Sequence, residues 1–360
     1  MLNRTQLIML ILLSTGLMNH VILIPIMLDV AGRDSWLSVL VAALPAAAWA
    51  AAVGLTMRKV GSDRLQLFLN RRGHVILTWT IMAALGLYLA LIAIITMKDM
   101  MDWLQLVYLP YTPRWLVSVV FAVLCVSMAR LGIQVVGIVG GVLLPFVVIL
   151  GLFVMTANTP HKHYDLLLPV LERGWGPIVS GGIYIFGGYA ELVILLLLTH
   201  RMRETPSIKS MIALAAVLAM LTAGPLIGAI AEFGPPEAAK QKYPAWEQWR
   251  LVQIGRYIEH VDFFSLYQWL SGAWIRISLA VYLVADLFGE RTRLASRTTL
   301  VFGAALVGAG ALPIDPVLFR TFVARYYFPV SAAAALCILA VTACLGLRKM
   351  TAAEKRGISE

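Results

Sequence analysis

The chain has 360 residues, 60% of them hydrophobic and only 13% charged, with a mean hydropathy of +0.84. Soluble domains carry about a quarter charged residues, so the composition excludes a water-soluble globular protein and predicts an all-α integral membrane protein. A formal charge of +10 fits basic cytoplasmic loops better than a nucleic-acid surface.

The N-terminal stretch MLNRTQLIMLILLSTG places a charge ahead of an apolar run, as a signal peptide does. No small-x-small cleavage site follows and the run continues to Met27, so it reads as a first membrane span. Ten apolar runs follow the roughly 20-residue rule for a bilayer helix: about 6–28, 36–57, 75–97, 113–129, 131–157, 177–200, 209–231, 263–287, 298–312 and 328–347. The fourth and ninth are short. The three cysteines (Cys125, Cys337, Cys344) lie within these runs, which argues for packing and against a disulfide framework.

With the N-terminus placed inside, 17 of the 29 Lys and Arg residues fall in inside segments and 11 in outside ones. The short inside loops, 58–72, 201–209 and 291–297, hold most of the excess. An even span count with both termini cytoplasmic satisfies the positive-inside rule. Five being odd, a second set of five spans starts on the opposite side from the first. The expected architecture is therefore ten transmembrane helices in a five-plus-five inverted repeat, residues 1–157 and 177–347, with a cytoplasmic tail at 348–360.

Two runs carry faults at matching places. The sixth reads PIVSGGIYIFGGYAELVILLLLTH, with Phe186-Gly187-Gly188-Tyr189 in its middle and Glu191 three residues on. Glycine weakens a helix, and a carboxylate at membrane depth costs about 2.5–3.5 kcal/mol on insertion scales. The first run has its counterpart at 16–20, Gly16 to His20, so helices 1 and 6 are both expected to be broken. Gly16 is expected to let the chain turn, with a half-helix starting near 19–21 and Asn19 or His20 capping it. Broken helices offer free backbone groups, and an amino acid zwitterion suits them: carboxylate to a half-helix N-terminus, ammonium to unwound carbonyls. The plain alternatives are close helix packing at Gly187 and Gly188, and a histidine at position 20 bonded within the bundle. Glu191 heads the second half of its helix. It either caps that helix, pairs with Arg276, holds a ligand amine or carries a proton. Arg276, in the eighth run, requires a carboxylate, a helix C-terminus or water. Asp286 lies near the cytoplasmic end and reaches water.

Two outside connections are longer. Residues 158–176 hold His161 and His163, which fit solvated loop residues better than a metal site. Residues 232–262 include Trp249, Ile254 and Ile258 at helical spacing, predicting an amphipathic helix over 246–260 that lies on the outer face. No CxxC pair, phosphate loop, HExxH or matched triad is present, so neither an enzyme nor a cofactor or metal site is expected.

The stretch FGPPEAAKQKYPAWEQWRLVQIGRYIEHVDFFSLYQWLSGAWIRISL, residues 233–279, resembles the signature of spore germination permeases, the B-type subunits of GerA-type nutrient germinant receptors. It holds Gly234-Pro235, Glu237-Ala238-Ala239, Tyr243-Pro244-Ala245-Trp246-Glu247, then Tyr267-Gln268-Trp269 and Ile275 to Leu279. That family is similar to the amino acid–polyamine–organocation transporters, with their LeuT-like fold. The resemblance implies a subunit in the inner membrane of the spore, assembled with A-type and C-type partners and sensing a small nutrient, commonly an amino acid. Analogy of helix position adds Tyr88 and Ser278 as pocket liners. It also suggests that Arg276 replaces the cation that sodium-coupled relatives hold between helices 1 and 8. A proton-coupled amino acid permease and a membrane scaffold or channel component with a vestigial pocket are the rival readings.

Overall fold

A computed structural model describes residues 1–255, 260–289 and 292–347. The tail at 348–360 and residues 256–259 of the outer connection lie outside these. Among the described residues there is no β-strand, and an isolated bridge joins Leu2 and Met202. Eight helical stretches among the described residues are long and apolar enough to cross a membrane.

The chain opens with α1 (Arg4–Leu17), started by a reciprocal cap in which Asn3 Oδ1 accepts from the Gln6 amide at 2.7 Å and Gln6 Oε1 accepts from the Asn3 amide at 3.1 Å. A π-helical turn (Met18–Ile22) leads directly into α2 (Leu23–Ala31). Gly32, at φ +56°, ends that helix and turns the chain through Gly32–Asp34 into α3 (Ser35–Val60). The short α4 (Leu65–Arg72) precedes α5 (Val75–Val107), α6 (Arg114–Arg130) and α7 (Ile133–Ala157). After the connection come α8 (Trp175–Ala190) and an 11-residue 3₁₀ segment (Glu191–Arg201), then α9 (Ile208–Phe233). Two short helices, α10 (Pro235–Lys240) and α11 (Pro244–Arg250), precede α12 (Phe264–Leu287) and α13 (Arg293–Ala311). Finally α14 (Pro316–Phe322) joins α15 (Phe328–Leu347) through a second π-helical turn (Val323–Tyr327).

Several expectations change. The first helix is not unwound at 16–20: Gly16 lies inside α1, and the helix widens into the π turn and continues. Its second segment begins at Leu23 rather than near 19–21. Proline explains this better than glycine does. Pro25 has no N–H and crowds the carbonyls one turn before it, and π windings re-satisfy such freed groups in membrane helices. Pro329 stands in the same relation to the turn at Val323–Tyr327. In the sixth run, Gly187 and Gly188 are still α-helical, and the winding changes at Glu191.

Of the amphipathic helix predicted for 246–260, the described residues are helical over Pro244–Arg250, and Ile258 lies outside the described residues. Leu251 to Gly255 are non-helical, and Gly255 at φ +66° is a conformation that ends a helix. Helix α5 runs ten residues beyond its predicted end at 97, so Lys98 is helical rather than in a loop. Cys337 and Cys344 are exposed on the outside of the bundle rather than packed, while Cys125 is buried.

Inside the bundle, α3 lies against both α8 and α9, and α12 lies against α1, α5, α6 and α7. Helix α1 also packs on α7, and α15 on α8. The winding changes at Met18–Ile22 and Glu191–Arg201 therefore sit in the middle of the packing, with Met18, Asn19, Tyr189 and Glu191 at 1% exposure or less.

Candidate functional site

The second winding change places Glu191 at the start of the 3₁₀ segment, which continues directly from α8. The backbone there is held by Trp49 of α3, whose Nε1 donates to the Tyr189 carbonyl at 2.8 Å. The Tyr189 hydroxyl in turn donates to the Ala215 carbonyl of α9 at 3.0 Å. Phe186 is half-buried and meets the Trp49 ring edge-on at 5.6 Å.

Arg276 comes from α12 and is as buried as Glu191, each side chain at 1% exposure. Its Nη1 donates to Glu191 Oε2 at 2.6 Å, and Nη2 donates to Glu191 Oε1. This is the bidentate fork that guanidinium and carboxylate make best. Nη1 also donates to the Ser14 carbonyl of α1 at 3.0 Å, and Nε to Thr96 Oγ1 of α5 at 2.9 Å. Tyr327, in the second π turn, donates to Glu191 Oε1 at 3.3 Å. The Tyr88 ring lies 6.2 Å from the Tyr327 ring. Five separate stretches of chain thus meet at one ion pair. Removing two charges from water costs several kcal/mol each, recovered only when geometry and further hydrogen bonds are good. Both conditions hold here. Of the roles open to Glu191 in the sequence, pairing with Arg276 is the one the structure shows.

Asn19 is the opposite case. It is fully buried within the first π turn, and neither Oδ1 nor Nδ2 has a hydrogen-bond partner among the described residues. It caps no helix, contrary to expectation. Its Oδ1 faces Gly188 so closely that a Cβ there would fall well inside van der Waals distance. Gly187 is equally tight: a Cβ would lie 2.9 Å from the Phe328 ring and 3.1 Å from the Phe328 carbonyl. The paired glycines therefore let the first and last helices approach α8.

His20 does not cap a helix either. Its Nδ1 lies 3.1 Å from the Leu221 carbonyl. Pro225, four residues on, has no N–H to give that carbonyl, so His20 replaces the missing donor. Gly16 packs against Leu221, 3.3 Å from a built Cβ. Ser278 stands two residues from Arg276, hence on another face of α12, beside Cys125 of α6. The structure brings Asn19, Gly188, Glu191, Arg276 and Tyr88 into one region and leaves Ser278 out. Sequence reasoning missed Tyr327, Thr96 and Trp49, and the usable signals were Pro329 after Tyr327 and a buried arginine needing more than one partner.

A second charged cluster closes one end of the bundle. Asp286 of α12 meets Arg201 at 2.6 Å, His200 at 3.0 Å and Arg64 at 3.7 Å. It is buried and paired rather than reaching free water. A small crevice lined by Arg64, Leu65, Met82, Leu197, His200 and Asp286 lies beside it. His161 and His163 are exposed, and no group of three metal-binding side chains occurs among the described residues.

The chain matches the family model described as spore germination protein over residues 2–307. It is 39% identical to spore germination protein XB of Bacillus anthracis over 334 residues, 92% of this chain and 94% of that protein. It is 27% identical to the putative spore germination protein YfkT of Bacillus subtilis (strain 168) over 199 residues, 55% of each. Identity to spore germination protein KB of the same organism is 21% over 279 residues, 73% of this chain and 72% of that protein.

Proposed function

Because the chain belongs to the spore germination permease family, we propose that it is the nutrient-sensing membrane subunit of a spore germinant receptor. The nutrient is a small amino acid, bound where the π turn of the first helix meets Gly187 and Gly188. The observation that carries this reading is Asn19. A buried amide with no partner costs about 1–3 kcal/mol per unmet group, and it is retained beside a helix whose winding changes. A ligand bearing both donors and acceptors meets that need, as an ammonium and a carboxylate together do. Neither member of the Glu191–Arg276 pair is free to do so in this conformation.

We read the eight stretches as ten spans. The first, Arg4–Val60, is 57 residues long and turns at Gly32–Asp34, giving two spans. Helix α6, at 17 residues, is the tenth. The packing supports an inverted repeat over residues 1–157 and 177–347. The first span packs on the fifth as the sixth does on the tenth, and the fourth on the eighth as the ninth does on the third. Counterpart spans also meet directly: α3 with α9, α5 with α12, α6 with α13. Arg276 touches the first, third, sixth and eighth spans at once. In this reading it is a fixed substitute for a mobile cation, so ligand binding is independent of sodium. Both termini are cytoplasmic, the membrane is the inner membrane of the spore, and A-type and C-type subunits are the partners.

Sensing requires the ligand to prefer one of two conformations, since equal affinity for both shifts nothing. The test is a germination dose–response for Asn19→Ala beside labelled amino acid uptake in proteoliposomes. Loss of response without any uptake by the wild-type protein supports the sensor. Uptake driven by a proton gradient replaces it with the proton-coupled permease, and an unchanged response with the scaffold.

A further inference from the structure

A second group of shielded polar atoms lies further along α5, starting one turn beyond Thr96 and running toward the helix's C-terminal end. That helix has 33 residues, about 50 Å at 1.5 Å per residue, so its last turns pass beyond a hydrocarbon core of about 30 Å. Asp99 and Trp103 are four residues apart on it and share a face. Asp99 Oδ2 and Trp103 Nε1 have no hydrogen-bond partner among the described residues. The link at 241–243, between α10 and α11, covers this face. There Tyr243 Oη and Gln241 Oε1 are shielded and equally without partners. Trp103 and Tyr243 are 0% and 5% exposed.

Aromatic contacts fix the arrangement. The Trp103 ring stacks on Trp269 of α12 at 4.1 Å, and the Tyr243 ring meets Trp269 edge-on at 5.3 Å. Tyr243 lies within the field of Asp99 and Asp102. Burial, then these two carboxyls, push its phenol well above the usual range despite Arg114, so it remains an O–H donor. Asp102 is already spoken for. Both its oxygens accept from Lys98, at 2.5 and 2.6 Å, and Oδ1 also from Arg114 at 2.5 Å. Asp99 has no such partner and feels the charge of Lys242. The unmet groups brought together here are thus the Asp99 carboxylate as acceptor, and the Trp103 indole N–H and the Tyr243 phenol O–H as donors.

We propose that this junction is a second binding site for an amino acid zwitterion, with Asp99 taking the ammonium and Trp103 Nε1 and Tyr243 Oη donating to the carboxylate. A bare metal ion is a poor match because two of the three groups are donors. A simple anion is a poor match because the third is a carboxylate. The choice of an amino acid as ligand rests on the function proposed above, although the site's own chemistry asks only for an ammonium beside a carboxylate. Its place under the 241–243 link makes it a separate station from Asn19.

The test is equilibrium dialysis of the full-length protein in lipid nanodiscs against each of the twenty labelled amino acids. For the one that binds, two classes of site are expected per chain. Asp99→Asn should weaken one class at least tenfold, and Tyr243→Phe, which keeps the ring on Trp269, should weaken the same class. The O-methyl ester and the N-acetyl derivative should both fail to compete there. Asn19→Ala should remove only the other class, so a chain holding just the Asp99-dependent class upholds this site while refuting the one at Asn19. If no amino acid binds the Asn19→Ala protein, or all its binding ignores both outer substitutions, water alone fills the junction and the proposal is overturned.

Discussion

The guanidinium of Arg276 joins two of the helices whose winding changes. One nitrogen, Nη1, donates both to the Ser14 carbonyl ahead of the π turn and to Glu191 at the head of the 3₁₀ segment. Thr96 and the second arm of the fork fix the remaining direction. Moving either helix away from this group strips a buried charge of its partners, so the two can separate only if something replaces what is lost.

Glu191→Gln or Arg276→Met alone should therefore lower stability by about 3–5 kcal/mol, since each leaves the other group charged and unmatched. Pairing Glu191→Leu with Arg276→Met should recover much of that. Thermal melting of the purified protein in detergent reads the difference, and a double variant as unstable as the sum of the singles contradicts it.

Gly188→Ala forces a Cβ against Asn19 Oδ1, and overpacking of this kind costs about 1–3 kcal/mol. Adding Asn19→Ala should restore the melting temperature yet leave germination unresponsive, because the ligand's contact is gone. A double variant that regains its response would separate Asn19 from the ligand.

His20→Ala should destabilise by about 1–3 kcal/mol, the cost of an unpaired buried carbonyl, here that of Leu221. Restoring an N–H to α9 with Pro225→Ala should cancel the loss. Additive rather than compensating shifts in melting temperature would show that His20 acts through something else.

Asp286→Asn weakens the contacts with two arginines, Arg201 and Arg64, and with His200 at once. Amide hydrogen exchange at residues 196–201 should rise about tenfold or more, as expected for loss of 1–3 kcal/mol of charged hydrogen bonding. Unchanged exchange would place the anchoring of that segment elsewhere.

Much of this was legible in the sequence, and the reasons are particular. Apolar length marked nearly every span, because a bilayer tolerates little else. Glu191 and Arg276 stood out because ionised groups at that depth need partners. Their mutual pairing was one of several options, and only packing of α12 against α1 and α5 selects it. Tyr327 and Thr96 looked like ordinary residues of apolar runs, since nothing local shows which face of a fully apolar helix turns inward. The windings were misread because Gly16 drew attention that Pro25 deserved: a missing N–H disturbs a helix more than a missing side chain does. The helix expected from 246 onward stops at Arg250, and the non-helical backbone of Leu251 to Gly255 is not something apolar spacing reveals.

The N-terminus is clipped to the far end of the 3₁₀ segment. Leu2 donates to the Arg201 carbonyl at 2.8 Å and accepts from the Arg203 amide at 2.9 Å. A 3₁₀ helix rises about 2.0 Å per residue and an α-helix about 1.5 Å. Rewinding the 11 residues of Glu191–Arg201 as α-helix would shorten them by about 5 Å. With Glu191 held by Arg276, that stroke would be delivered at Leu2 and Met202. The segment thus ties the buried ion pair at one end to the N-terminal residues and the Asp286 cluster at the other.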